Sequence, residues 1–504
     1  MRKIGFWLLI VSLVVLSAYS LALGRDKDTI VIAQGVDPTT LDPHNHYETP
    51  AFNVCLNIFD TLLQRNEQIK IEPLLATSYK IINETTWEFN LRKGVKFHNG
   101  EDFDATSVKF SLERIINPKN KLRQQAAIGQ VIDRVDIIDP YKVRIITKKP
   151  YPALDAQLCT VGSMLPPKYV QEKGAAHVAI NPIGTGPYKL VRWTKDDQIV
   201  LQANENYWRG APKIKKATFR PIPEATTRVA GLQTQELDII VNIPPHLERL
   251  MNWKGRSFVS KVPSVRVIFM AFDNLKGGPA ADRRFRQAVA QAIDLDTIIR
   301  KVLEGNALRL GSPLTKYHFG YDPAIKPYDY NPEMAKKLLA EAGYAKGVDF
   351  VINSPNGRYL NDKDIAEAVA GDLRKVGIKA SVKTHEWGNF MNMTYGHTAG
   401  PLYLLGWGNT SFDADGSMFT LLRTGQALSS FTNAKLDSLL DQGQATMDQK
   451  KREKLYSEAS NVIKDDAAWA FTYQQMDIYG VNERVNWKAR ADERLAVFEM
   501  SFKK

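Results

Sequence analysis

Hydrophobic and polar positions alternate with period two through much of the first half of the chain, and recur at one-face helical spacing through much of the second. Residues 29–33 form a β-branched run ahead of Asp37-Pro38 and Asp42-Pro43, which predicts a strand running into a loop. Trp87, Phe89 and Leu91 alternate with polar residues, and Gly94 then turns the chain before Val95 and Phe97, so a hairpin is expected there. Asp139-Pro140 between 135–138 and 143–146, and 195–198 between 188–193 and 199–203, repeat the hairpin pattern.

The later segments read as helices. Asn331 before Pro332 is an N-cap followed by proline at the first helical position. Ala335, Leu338, Leu339 and Ala342 then share a face, and Gly343 stands where a left-handed cap ends a helix. Ile365, Val369, Leu373 and Val376 form a second stripe ended by Gly377, after which Ile378, Ala380, Val382 and Thr384 alternate as a strand. Phe285, Ala288, Val289 and Ala292 give a third helix after Asp282. Helix, glycine, strand is the crossover unit of an open α/β sheet. At 504 residues the chain exceeds one core, yet no proline- or glycine-rich linker separates modules. Lobes that the chain crosses more than once fit that combination.

The amino terminus departs from the globular pattern. Arg2 and Lys3 precede an apolar run over 4–23, and small residues alternate at Ala18, Ser20, Ala22 and Gly24. This is the pattern of a cleaved secretory signal peptide over 1–24, with an uncleaved anchor as the alternative. No cysteine lies near its exit, so a soluble periplasmic protein without a lipid anchor is expected. The formal charge of +12 is spread with alternating sign, and the basic stretch 119–123 reads as a solvated loop, so nucleic acid is not indicated. Export permits Cys55 and Cys159 to pair, but two such distant positions leave a disulfide and two buried thiols equally open.

Catalytic signatures are missing. No Gly-x-Ser-x-Gly elbow, His-Glu-x-x-His helix or phosphate loop occurs. Gly184-Thr185-Gly186-Pro187 lacks a third glycine, and Pro187 removes an amide, so it reads as a structural turn. His44-x-His46 has only Glu48 as a further neighbouring ligand and reads as a polar loop. The carboxylates of Asp413-x-Asp415 resemble half of a glycosidase pair without a defined partner.

Three clusters fit binding instead. Gly406-Trp407-Gly408-Asn409-Thr410 follows the apolar run 402–405, which puts an aromatic face and hydrogen-bonding groups at a strand's carboxyl end, where open α/β sheets hold ligands. His385-Glu386-Trp387-Gly388 ends the preceding strand in the same way. Arg358, in a loop before the Ile365 stripe, suits bidentate pairing with a carboxylate. The candidate ligand-binding residues are Tyr47, Arg358, Trp387, Trp407, Asn409, Thr410 and Asp413; no catalytic residue, metal ligand or cofactor is assigned.

At these residues the chain resembles the family 5 extracellular solute-binding proteins, the dipeptide-, oligopeptide- and nickel-binding components of ABC importers. Glu72-Pro73-Leu74-Leu75-Ala76, Trp87-Glu88-Phe89-Asn90-Leu91-Arg92, Gly94-Val95-Lys96-Phe97-His98-Asn99-Gly100, Asn181-Pro182-Ile183-Gly184-Thr185-Gly186-Pro187-Tyr188 and Arg284-Phe285-Arg286-Gln287-Ala288 carry the likeness, with Tyr330-Asn331-Pro332, Glu386-Trp387 and Gly406-Trp407. The resemblance implies an α/β, two-lobed type II periplasmic-binding-protein fold of the large cluster. Its first lobe is expected over 25–58, 183–262 and 475–504, an inserted subdomain over 59–182, and the second lobe over 263–474. It implies a monomer, not an enzyme, that closes on a small-molecule or peptide ligand and delivers it to inner-membrane permease subunits; a ligand-presenting sensory receptor, or less readily a secreted hydrolase, is the alternative. Dipeptide-binding members receive the ligand carboxylate on an arginine placed like Arg358 and hold its amine on an aspartate three residues after the Gly-Trp tryptophan. Here that position is Thr410, a departure that argues against a free-amine dipeptide and leaves larger peptides, sugars, organic anions and metal chelates open.

Overall fold

The computed structural model describes residues 27–503; the expected signal peptide lies outside the described residues. Two long antiparallel strands, Ser257–Phe272 and Trp469–Asn482, organise the molecule. Residues 257–263 pair with 476–482, residues 267–271 pair with 469–474, and the ladder slips between Pro263 and Val267. Beyond the first paired stretch the sheet continues through Ile239–Ile240, Thr29–Gln34, Lys216–Pro221, Gln198–Ala203 and Tyr188–Thr194. Beyond the second it continues through Leu402–Gly408, Val348–Pro355 and Ile378–His385. One eleven-stranded mixed sheet thus runs to both sides of the place where the two long strands lose register.

The helices of the second lobe form for local reasons. Asn331 accepts the Met334 N–H at 2.9 Å, capping Pro332–Glu341, whose Ala335 and Leu339 are buried. Asp362 and Asp364 open Asp362–Lys375 while Arg374 and Lys375 close it, matching charge to the helix dipole at both ends. Arg283–Ala292 is capped by Asp282 and buries Phe285, Ala288, Val289 and Ala292.

Residues 62–164 carry their own apolar core, built on an antiparallel sheet of Ala76–Asn83, Thr86–Leu91, Lys142–Thr147 and Ile132–Asp139 in that order. The hairpin expected from Trp87 through Gly94 to Phe97 is not formed. Thr86–Leu91 lies between Ala76–Asn83 and Lys142–Thr147, and beyond Gly94 only a single bridge, Lys96 to Asp102, occurs. Alternation marked the strand correctly, but the partner was chosen by tertiary packing around buried Trp87 and Phe89. The Gly184–Gly186 turn packs on the joint between this subdomain and the first lobe. A Cβ at Gly184 would lie 2.1 Å from the Ile58 carbonyl oxygen, and one at Gly186 2.6 Å from it. Those glycines serve close backbone approach, and Thr185 donates to the Asp60 carboxylate at 3.0 Å.

Candidate functional site

The loop before Asp362–Lys375 is held in shape by the first residue of the helix. The Asp362 carboxylate accepts the backbone N–H groups of Gly357, Arg358 and Tyr359 at 2.9–3.0 Å, and burial pushes its pKa up to about 6. That nest fixes the backbone from which Arg358 projects. Arg358 is 4% exposed, its Nε is buried without a hydrogen-bond partner, and among the described residues no carboxylate closes on its guanidinium. The group stands 4.8 Å from the Tyr359 ring and 5.2 Å from the Trp387 ring. Burial, reinforced by nearby Arg266, holds its pKa below the usual arginine range.

Aromatic side chains enclose the space in front of it. Trp387 begins the helix Trp387–Tyr395, where Glu386 caps the N-terminus through Gly388 and Asn389. Its indole donates to the Glu48 carboxylate at 2.8 Å. Trp407 ends Leu402–Gly408, donates to the Gly416 carbonyl at 2.8 Å, and faces Tyr47 with ring centroids 5.8 Å apart. Gly406 must be glycine here, since a Cβ would lie 2.5 Å from Ile268 Cδ1 and 2.7 Å from the Tyr359 ring. Tyr47, Arg358, Trp387, Trp407 and Thr410 all line one interlobe cavity of about 1480 Å3, part of it open to solvent. Thr410 donates to Thr160 of the inserted subdomain at 3.2 Å, so this wall is a hydroxyl pair where a carboxylate would be needed to hold an amine.

Asn409 and Asp413 stand behind the wall. The Asn409 amide donates to the Asp413 carbonyl and to Ser417 Oγ at 2.6 and 2.9 Å. Asp413 receives both terminal nitrogens of Arg452 at 2.6 and 2.8 Å, and all three side chains are buried. Their polar atoms are spent on the turn that presents Trp407 and Thr410.

Several cavity residues escaped the sequence pattern. Arg266, at the slip between the long strands, pairs with Glu493 at 2.5 Å and donates to Thr49 and the Gly406 carbonyl. Burial and Glu493 push the adjacent Asp477 up to about 8. Tyr359, Met391, Tyr395 and Thr160 also line the space, and so does Arg123, at the end of the stretch read as a solvated loop. Met391 and Tyr395 follow Trp387 at helical spacing, the one signal the sequence offered for them.

His44 donates through Nε2 to the Ser163 carbonyl and accepts from Arg114, whereas His46 packs edge-on against Phe52. Burial lowers their pKa values to about 4 and about 3, leaving both imidazoles neutral. Among the described residues no group of three metal-ligating side chains converges. Cys55 and Cys159 are both buried free thiols.

The profile of the bacterial extracellular solute-binding proteins, family 5, matches residues 70–429. The chain belongs to this family. The glutathione-binding protein GsiB of Pectobacterium atrosepticum is 28% identical over 454 residues, covering 88% of this chain and 87% of that protein. GsiB of Escherichia coli O157:H7 is 27% identical over 452 residues, covering 87% and 88%. Among solved structures, the periplasmic binding protein DppA of Helicobacter pylori, in complex with the peptide STSA, superposes with a TM-score of 0.89 at 27% identity, over 94% of this chain and 98% of that one. NikZ of Campylobacter jejuni with Ni(L-His) gives 0.86 at 25% identity, over 95% and 100%. The family 5 protein is therefore a two-lobed solute binder. Among its described residues no helix is long and apolar enough to cross a membrane.

Proposed function

We propose that this protein is the extracytoplasmic solute-binding component of an ABC importer, that it takes a small carboxylate-bearing solute between its lobes, and that it delivers that solute to permease subunits without chemical change. Working as a monomer in the periplasm after loss of 1–24, it divides into a first lobe of 25–58, 183–262 and 475–504, an inserted subdomain of 59–182, and a second lobe of 263–474. The carrying observation is Arg358: a buried guanidinium, preorganised by Asp362, flanked by aromatic faces and without a carboxylate of its own. Leaving such a charge unpaired is costly, and a bidentate carboxylate removes the cost. The relatives point to the same chemistry, since glutathione and the peptide STSA both carry carboxylates. Thr410 in place of an amine-binding aspartate favours ligands whose amine is absent, blocked or held elsewhere.

Closure follows from differential affinity: a solute touching both lobes stabilises the form in which they meet. Calorimetric titration with glutathione, alongside native mass spectrometry of protein taken undialysed from its own cells, tests this reading. Arg358→Ala is expected to weaken binding at least about 100-fold, as loss of one partner of a buried charge pair does. Unchanged affinity for the co-purified solute, or a solute that carries no anionic group, removes the proposal.

A further inference from the structure

The cavity has a second unsatisfied end. Arg123 comes from the inserted subdomain, lines the cavity, and stacks over the Tyr395 ring at 4.4 Å; among the described residues no hydrogen-bond acceptor meets its guanidinium. The Tyr395 hydroxyl is buried without a partner. Both ring nitrogens of His46, a third lining residue, are also buried without one. A guanidinium stacked on a phenol thus shares the cavity with an imidazole on which the Arg123 charge acts.

The carboxylates near the two arginines are already engaged. Glu48 accepts from Trp387 and from the N–H and hydroxyl of Thr39. Glu493 is held by Arg266 and Ser264, and Asp42, the acid nearest His46, by Arg114. Neither Arg123 nor Arg358 is neutralised by direct pairing from its own chain.

One helix sets the spacing between the two ends. Trp387, under Arg358, and Tyr395, under Arg123, are the first and last residues of the helix Trp387–Tyr395, and Met391 lies between them on the same cavity-lining face. Eight steps of helical rise set the two residues about 12 Å apart along the helix axis. We infer that Arg123, Tyr395 and His46 form a second anion-binding subsite, and that the solute is an elongated dianion whose two negative groups are spaced to reach both ends of this helix. The inference rests on the proposed function and adds to it the second charge and the spacing. Extended chain of three to four residues spans about that length, so an acidic peptide-like compound and a plain dicarboxylic acid are both admitted.

The test uses paired probes on the mature protein: glutathione and the straight-chain dicarboxylates from succinate to dodecanedioate, each beside its monoamide, titrated into wild type, Arg123→Ala, Tyr395→Phe and Arg358→Ala. The best dicarboxylate is expected to bind about tenfold or more tighter than its own monoamide. Arg123→Ala erases that ratio while changing the monoamide less than about twofold, and Tyr395→Phe, which removes only a hydroxyl, narrows it by about threefold. Equal affinity for both members of each pair, or equal weakening of both by Arg123→Ala, overturns the second subsite yet leaves Arg358 and the proposed function standing. Binding that ignores Arg358 as well overturns both, and no binding by any dicarboxylate overturns the dianion.

Discussion

The Trp387 indole donates a 2.8 Å hydrogen bond to the Glu48 carboxylate, tying together residues 339 positions apart in the chain. If the two residues part when the lobes open, as the proposed division of the chain implies, the bond favours the closed form. Trp387→Phe keeps the ring that flanks Arg358 and removes the donor. A hydrogen bond to a charged group contributes about 1.5–3 kcal/mol. Solute affinity should therefore fall about tenfold or more, chiefly through faster dissociation; stopped-flow displacement separates the two rates, and an unchanged dissociation rate would contradict the role.

The buried pair of Asp413 and Arg452 is expected to affect folding and spare binding. Removing one partner leaves an uncompensated charge in the core, which costs about 3–5 kcal/mol. Asp413→Asn should lower the urea midpoint accordingly while the dissociation constant moves within about threefold. A large loss of affinity at intact stability would return Asp413 to the ligand site.

His318 supplies a pH dependence of known sign. It lies buried between Thr315 and the Asn409 carbonyl, and burial lowers its pKa from 6.5 to about 4. A histidine depressed in the folded state stabilises the fold above its unfolded pKa, and the contribution is lost as pH falls from about 6.5 towards 4. The full shift corresponds to about 3 kcal/mol. Asp362 and Asp415, both raised to about 6 by burial, act in the opposite sense over about pH 6 to 4. Comparing wild type with His318→Gln cancels them. The unfolding free energy of the variant should decline less steeply with acid, and parallel curves would show that His318 is not held neutral.

The parts of the site that were legible in the sequence sit at the ends of regular elements. Trp407 ends an apolar run, Trp387 follows an alternating strand, and Arg358 precedes an amphipathic helix, so local period placed the two tryptophans at strand carboxyl ends and Arg358 in a loop before a helix. Arg123 was not legible. Its neighbours are basic and polar, which reads as solvent, and only the packing of the inserted subdomain against the helix ending at Tyr395 brings it inward. Asn409 and Asp413 failed in the other direction: polar side chains beside Trp407 suggested ligand contacts, but their partners Ser417 and Arg452 come from later elements and consume them. The Trp87 strand shows the same division, with its alternation readable and its neighbours set by tertiary packing.

The loss of register in the long strands has a consequence for how the protein senses its cargo. Arg266 occupies that slip, and its positive charge, paired with Glu493, still acts against that of Arg358 nearby. Glu493 serves Arg266 directly and reaches Arg358 only at longer range. An anion on Arg358 would supply the countercharge that Glu493 does not give directly, so the cargo's charge, as well as its shape, is expected to set how firmly it is held.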